Sequence, residues 1–150
     1  MRIYAFASNT LTNIWAGIGA SRWAVSPSDN ASYTKGRITH ALKMPVGAGG
    51  ILYCNETKSF TTPFIVYSSP NPDEQVENIW PEPWVLPFSI KPLGDPRRAM
   101  TIAESKRALP TLRTQGANLN NTVYVHGKMA FTQSKLGEAD WMVLIEKLAI

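Results

Sequence analysis

The chain has 150 residues, 44% of them apolar and 17% charged, the size and balance of one globular domain with one core. Fifteen Lys and Arg stand against eleven Asp and Glu, a formal charge of +4 that leans towards polyanionic partners. A single cysteine, Cys54, excludes an internal disulfide and suits a reducing compartment, so a cytoplasmic protein with a buried core thiol is expected.

Met1 to Phe6 is interrupted too soon by Ser8 and Asn9 to read as a signal peptide, and no apolar run approaches membrane-spanning length. Arg2 to Ala7 alternates like a strand. Asn9-Thr10 then offers a cap for a short helix with Leu11, Ile14, Trp15 and Ile18 on one face, ended by Gly17 and Gly19. Trp23 to Val25 reads as a brief extended segment and Tyr33 to Met44 as a second helix. Gly50–Cys54 and Phe60–Tyr67 flank the polar turn Asn55 to Lys58 and predict a hairpin. Ser68 to Pro83, rich in proline and acids, predicts a long surface loop of the kind that often carries function, with a strand from Val85 to Ile90 after it. Thr101 to Leu109 has helical composition, Thr122 to Val125 reads as a strand, and Leu136 to Leu148 as a last helix with Trp141 on its apolar side.

Hairpin strands mixed with helices, without regular strand-helix alternation, predict an α+β fold: a small curved or closed β-barrel with helices packed outside. Residues 1–150 are expected to form one domain, a unit that also suits a piece of a larger protein. Acids concentrate at Asp73, Glu74, Glu77 and Glu82, which leaves a basic second half and favours a nucleic-acid face.

Catalytic chemistry finds little support. His40 and His126 lie far apart, there is no HExxH, CxxC or GxSxG, and Gly47 to Gly50 precedes a strand and lacks a P-loop lysine. Glu138 and Asp140 suit the dipole of the last helix. No enzyme, cofactor or metal is expected. The aromatic content says more: Trp80-Pro81-Glu82-Pro83-Trp84 holds two indoles in a proline-stiffened loop, and Trp23 lies in a short extended segment. Stiffly presented indoles suit a flat ligand, although on composition alone packing in a core is the better explanation.

Three blocks resemble the YTH domains, which belong with EVE domains to the PUA-like superfamily. The first is Phe6-Ala7-Ser8-Asn9, then Asn13-Ile14, then Arg22-Trp23-Ala24-Val25-Ser26, with Ser8 fifteen residues before Trp23 as in the family. The second is Leu52 to Asn55 with Ser59-Phe60. The third is Asn78-Ile79-Trp80 through Trp84 and then Pro87 to Ile90. The later portion, Phe88 to Leu93 and Tyr124 to Leu148, looks more like the prokaryotic EVE branch.

The resemblance implies a reader that captures a flipped or unpaired N6-methyladenine in a cage of Trp23, Trp80 and Trp84. Methylation adds apolar surface and removes one donor, so an aromatic pocket gains contact and loses little hydrogen bonding. Asn9 and Asn13 match side chains that read ring nitrogens and the Ala24 carbonyl one that accepts from N6, and Ser8, at the strand end before them, is counted with these base-edge hydrogen bonds. Asn55 and Lys128 match phosphate-contacting positions loosely, and Ala7 stands where the family has a basic residue. Arg22, Lys58, Arg97 and Arg98 are substitutes on charge. The implied partner is methylated DNA or RNA, with no membrane. The implied context is the specificity module of a modification-dependent restriction system of the McrBC type, with a fused or associated nuclease or NTPase. Three other readings stand beside it: an EVE-type reader of modified cytosine, a PUA-like RNA-binding accessory domain without a methyl cage, and an assembly domain acting through its aromatic loop.

Overall fold

The structure, a computed structural model, describes all 150 residues. Its first strand, β1 (Ile3–Ser8), shows how the fold is built, because successive side chains of a strand point to opposite faces. Tyr4 and Phe6 enter one apolar core and Ile3 and Ala5 another. The neighbouring β3 (Gly49–Cys54) divides in the same way, Leu52 and Cys54 to the first core and Ile51 and Tyr53 to the second. Cys54 is a buried free thiol. Burial on both faces explains why this strand reads as a continuous apolar run rather than an alternating one.

Around this pair the chain runs α1 (Leu11–Ala20), β2 (Arg22–Val25) and α2 (Ala31–Leu42) before β3. After β3 come β4 (Ser59–Val66), β5 (Gln75–Val76), β6 (Trp84–Pro92), β7 (Met100–Thr101), α3 (Ile102–Ala108) and α4 (Glu138–Leu148). The sheet has seven strands, with the path β1-β3-β4-β6-β2, β5 added to β6 and β7 to β4. β1 and β3 are parallel, and the other pairs are antiparallel. The long β6 joins the two halves of the curl: Ile90 to Pro92 pair with β4, while Val85 to Ser89 pair with β2. Strands β1 and β2 end the path without pairing, so the α+β barrel is curved and open on that side.

The inner core lies within the curl around Trp23, Phe64 and Phe88, with Ile14 of α1 and Ala41 of α2 packed on it. The outer core lies under α4, which contributes Leu144 and Leu148. No helix is long and apolar enough to cross a membrane.

Most boundaries fall near the expected ones, and three depart. Helix α1 runs through Gly17 and Gly19 to Ala20 and closes on Ser21 in the left-handed region, φ 53°. Trp15 is 43% exposed and not core, because α1 faces the sheet with Ile14 and Gly17. The segment expected as a strand at Thr122 to Val125 is a π-turn, Leu119–Val123. Asn118 caps it by exchanging side-chain and backbone bonds with Asn121, a local alternative that takes the backbone away from any ladder. Within the long loop, Gln75–Val76 pairs with β6.

Candidate functional site

Where β1 and β2 fail to meet, a cavity of about 350 Å³ opens. Its floor includes Trp23 and Ala24 of β2 and Trp84 at the start of β6. One side is made by Ser8, Asn9, Asn13 and Asn55, and the other by Ser26 to Ser28, Tyr33 and Arg37, with His126, Gly127 and Lys128 at a third rim. The site is thus assembled from six separate stretches of chain by the open edge of the barrel.

Local sequence explains the placement of each group. Thr10 caps α1 by accepting from the Asn13 amide at 3.2 Å, and Glu56, on the hairpin turn, accepts from the Leu11 amide at 3.3 Å. These bonds fix the first turn of α1 beside the end of β1, which carries Asn9 and Asn13 to the same wall. Asn55 donates its amide to Oδ1 of Asn9 at 3.1 Å, leaving the Asn9 Nδ2 free to donate to a ligand. The pairs Trp23↔Phe88 and Val25↔Val85 leave Ala24 opposite two residues, Leu86 and Pro87. This bulge interrupts the ladder at a proline, which has no N–H, and Leu86 adopts φ +57° there. Such irregularities often re-aim side chains beside a site, and here they lie between Ala24 and Trp84.

The three indoles form one packed cluster. Trp80 and Trp84 stack with ring centroids 4.3 Å apart at 18°, and Trp23 meets them edge-on at 5.7 and 5.5 Å. All are buried, with Trp23 1%, Trp80 3% and Trp84 6% exposed. Stacked rings at 4.3 Å leave no slot between Trp80 and Trp84 for a base. Trp80 stands behind Trp84, outside the cavity lining, with its indole N–H donated to the backbone carbonyl of Asn13 at 3.0 Å. It therefore positions α1, and the walls presented to the cavity are those of Trp23 and Trp84.

Of the residues singled out in the sequence, Ser8, Asn9, Asn13, Trp23, Ala24, Asn55, Trp84 and Lys128 line this one cavity. The other basic residues stand apart from it. Arg22 is ion-paired with Glu74 at 2.8 Å, Arg97 with Asp95 at 2.8 Å, and Arg98 donates to the carbonyl of Ala149. Lys58 is exposed on the hairpin turn at φ +49°. Their charge suggested phosphate contact, but the pairs show Arg22, Arg97 and Arg98 engaged within the fold. Arg97 holds the Asp95 carboxyl below its ordinary range by hydrogen bonding, and Asp95 in turn raises Arg97.

Sequence reasoning missed Tyr33, Arg37, Glu82 and His126 in the lining. Tyr33 and Arg37 lie four residues apart on a helix, a spacing that puts them on one face, and that pairing was the available signal. Tyr33 also donates its hydroxyl to the Gly127 carbonyl at 3.5 Å, joining α2 to the third rim. A neighbouring cleft, lined by Tyr53, Lys106, Asn118 and Asn120, shares Asn55, His126 and Gly127 with the cavity. Burial pushes the Tyr53 phenol above its ordinary range.

A curled mixed sheet with helices outside is a YTH-like fold. The solved structures similar to this chain include the apo YTH domain of CPSF4 from Toxoplasma, with a TM-score of 0.59 and 14% identity over 99% of this chain and 88% of that one. The Pho92 YTH domain in complex with m6A aligns at TM-score 0.57 and 14% identity, over 97% and 84%. The YTH domain of MRB1 from Zygosaccharomyces rouxii, in complex with N6-methyladenosine RNA, aligns at 0.52 and 15%, over 78% and 75%. No family model matches the sequence, and no curated protein does.

Proposed function

We propose that this domain is a nucleic-acid reader that takes one unpaired or flipped methylated base, N6-methyladenine first among them, into the cavity between β1 and β2. The observation that carries this reading is the convergence of Trp23, Trp84, Asn9, Asn13 and Ala24 on one cavity of about 350 Å³. The indoles supply the apolar surface against which a methyl group gains contact, and the amides supply paired donors and acceptors for the ring nitrogens. The Ala24 carbonyl accepts the remaining N6 hydrogen.

The likeness to domains solved with m6A and with N6-methyladenosine RNA supports the same substrate class and makes an RNA strand the first to test. Convergent amides and indoles suit binding rather than proton transfer. Direction of a nuclease or NTPase, as in a modification-dependent restriction system, belongs to this proposal as its biological setting.

Titration with oligonucleotides identical except for one N6-methyladenine, single- and double-stranded, RNA and DNA, at one fixed salt concentration tests the reading. The expected result is a methyl preference of about tenfold, or roughly 1.4 kcal/mol. Equal binding with and without the methyl group overturns it, and a preference confined to modified cytosines replaces the adenine by a pyrimidine.

A further inference from the structure

The buried side-chain nitrogens that lack a hydrogen-bond partner are Nε and Nη2 of Arg37 and Nε1 of Trp84. All are donors, and both residues line the same cavity. Buried side-chain polar groups are paired in the large majority of cases, so the clustering of these donors in one cavity points to a partner there that brings acceptors.

Arg37 is the sharper case. It is 7% exposed, its Nη1 donates to the Ser26 carbonyl at 2.8 Å, and its guanidinium lies 5.2 Å over the Tyr33 ring. Those contacts hold the side chain in place without neutralising it, since the ion pairs of the molecule are Arg22 with Glu74 and Arg97 with Asp95. Glu82 is the one acid in the cavity lining, exposed and unpaired with Arg37. Nε and Nη2 form the side-on edge of the guanidinium, the pair that meets two oxygens of a phosphate or carboxylate at once. Arg97 uses that same edge on Asp95, with Nε and Nη2 at 3.0 and 2.8 Å from Oδ2.

We propose that Arg37 is a phosphate-binding residue of the cavity, gripping through Nε and Nη2 a phosphate of the nucleotide whose base lies against Trp23 and Trp84. The inference rests on the reading of the cavity as a base-binding site and adds the group that holds the backbone. The phosphate comes from an internal phosphodiester of a strand or from the terminal group of a mononucleotide. A ring nitrogen of the base could accept from one donor of the same edge, but it would leave the buried charge uncompensated, and phosphate compensates it.

Calorimetric titration of the whole chain with N6-methyladenosine, its 5′-monophosphate, and an unphosphorylated N6-methyladenine trinucleotide tests this, each beside its unmethylated counterpart. A gain of about tenfold for phosphate-bearing ligands over the nucleoside is expected. The ratio of phosphate-bearing to nucleoside affinity should fall to about one in Arg37→Gln, and Arg37→Lys should recover part of it because charge returns without the fork. A gain for the monophosphate identifies a terminal phosphate, and a gain for the trinucleotide alone identifies the phosphodiester. Survival of the gain in Arg37→Gln overturns the proposal, as does loss of nucleoside binding itself, which would make Arg37 a reader of the base. Should Arg37→Gln fail to fold by circular dichroism, the Arg37 Nε–H resonance of the unaltered protein decides. It should shift with the monophosphate or trinucleotide and not with the nucleoside, and an unmoved resonance overturns the proposal. Equal affinity for methylated and unmethylated ligands sinks the methyl reading separately, whatever Arg37 does.

Discussion

Trp80 shows how a residue outside the cavity can govern what happens inside it. Its indole donates to the Asn13 carbonyl while its ring backs Trp84, so one side chain fixes both an amide wall and an aromatic floor. Trp80→Phe keeps a ring behind Trp84 and loses the bond, at a cost of about 1 kcal/mol in stability. Urea unfolding should show that loss, and the methyl preference should fall because Asn13 keeps its Thr10 cap but loses its tie to Trp80. A second residue-scale prediction concerns Asp140, 1% exposed, whose carboxylate accepts from the Gly137 and Thr111 amides and from the Thr111 hydroxyl. It was read in the sequence as a partner of the helix dipole, and the structure adds that it ties α4 to the turn at Pro110–Arg113. Asp140→Ala strands these donors in the interior and should lower stability by about 3 kcal/mol, measured as a shift of the urea midpoint at unchanged slope. The Asp95–Arg97 pair works through pH. A carboxyl whose folded pKa is depressed stabilises the fold above its ordinary pKa, and that contribution disappears as pH falls through the folded value. The melting temperature of the unaltered chain should exceed that of Asp95→Asn at neutral pH, and the two should converge as pH falls through the lowered Asp95 value. A gap that persists in acid would show that the pair contributes through packing instead.

Elements were legible in the sequence where their periodicity is local. The hairpin of β3 and β4 and the start of α1 at its Thr10 cap could be read from a few adjacent residues. The site was legible only in part, for a physical reason. Asn9, Asn13, Trp23 and Trp84 were found through their order along the chain, whereas the burial of Arg37 depends on Ser26 and Tyr33 folding over it. The π-turn at Leu119–Val123 was lost because β-branched composition suggests a strand while the Asn118–Asn121 cap competes for the backbone. Helix α1 carries a testable constraint of its own. Gly17→Ala should gain up to about 1 kcal/mol in helix propensity if α1 stood alone. In the fold, the added Cβ would lie 2.7 Å from Cε3 of Trp23 and 2.9 Å from the Arg22 carbonyl oxygen. Backbone cannot give way as a flexible side chain can, so the substitution should destabilise the protein and tilt the Trp23 ring. Near-ultraviolet circular dichroism should report the change, with loss of methyl preference at temperatures where the variant stays folded. A stabilised variant with unchanged discrimination would show that α1 and Trp23 do not pack as closely as this.

At the scale of the whole molecule, the excess of four positive charges is not concentrated at the cavity. Arg22, Arg97 and Arg98 are tied within the chain, and the cations that line the cavity are Arg37 and Lys128. Affinity should accordingly come from the captured base, with salt dependence set by few phosphates. For a single strand, two neutralised phosphates correspond to a slope of about −1.4 in log affinity against log salt. A domain that gripped duplex shape through six or more contacts would give about −5 or steeper. Titrations of a methylated single strand across several salt concentrations distinguish these outcomes without any substitution. A shallow slope together with methyl preference is expected of a base-capturing cavity. A steep slope that is the same for methylated and unmethylated strands would place binding on an extended surface and make the opening between β1 and β2 incidental to it.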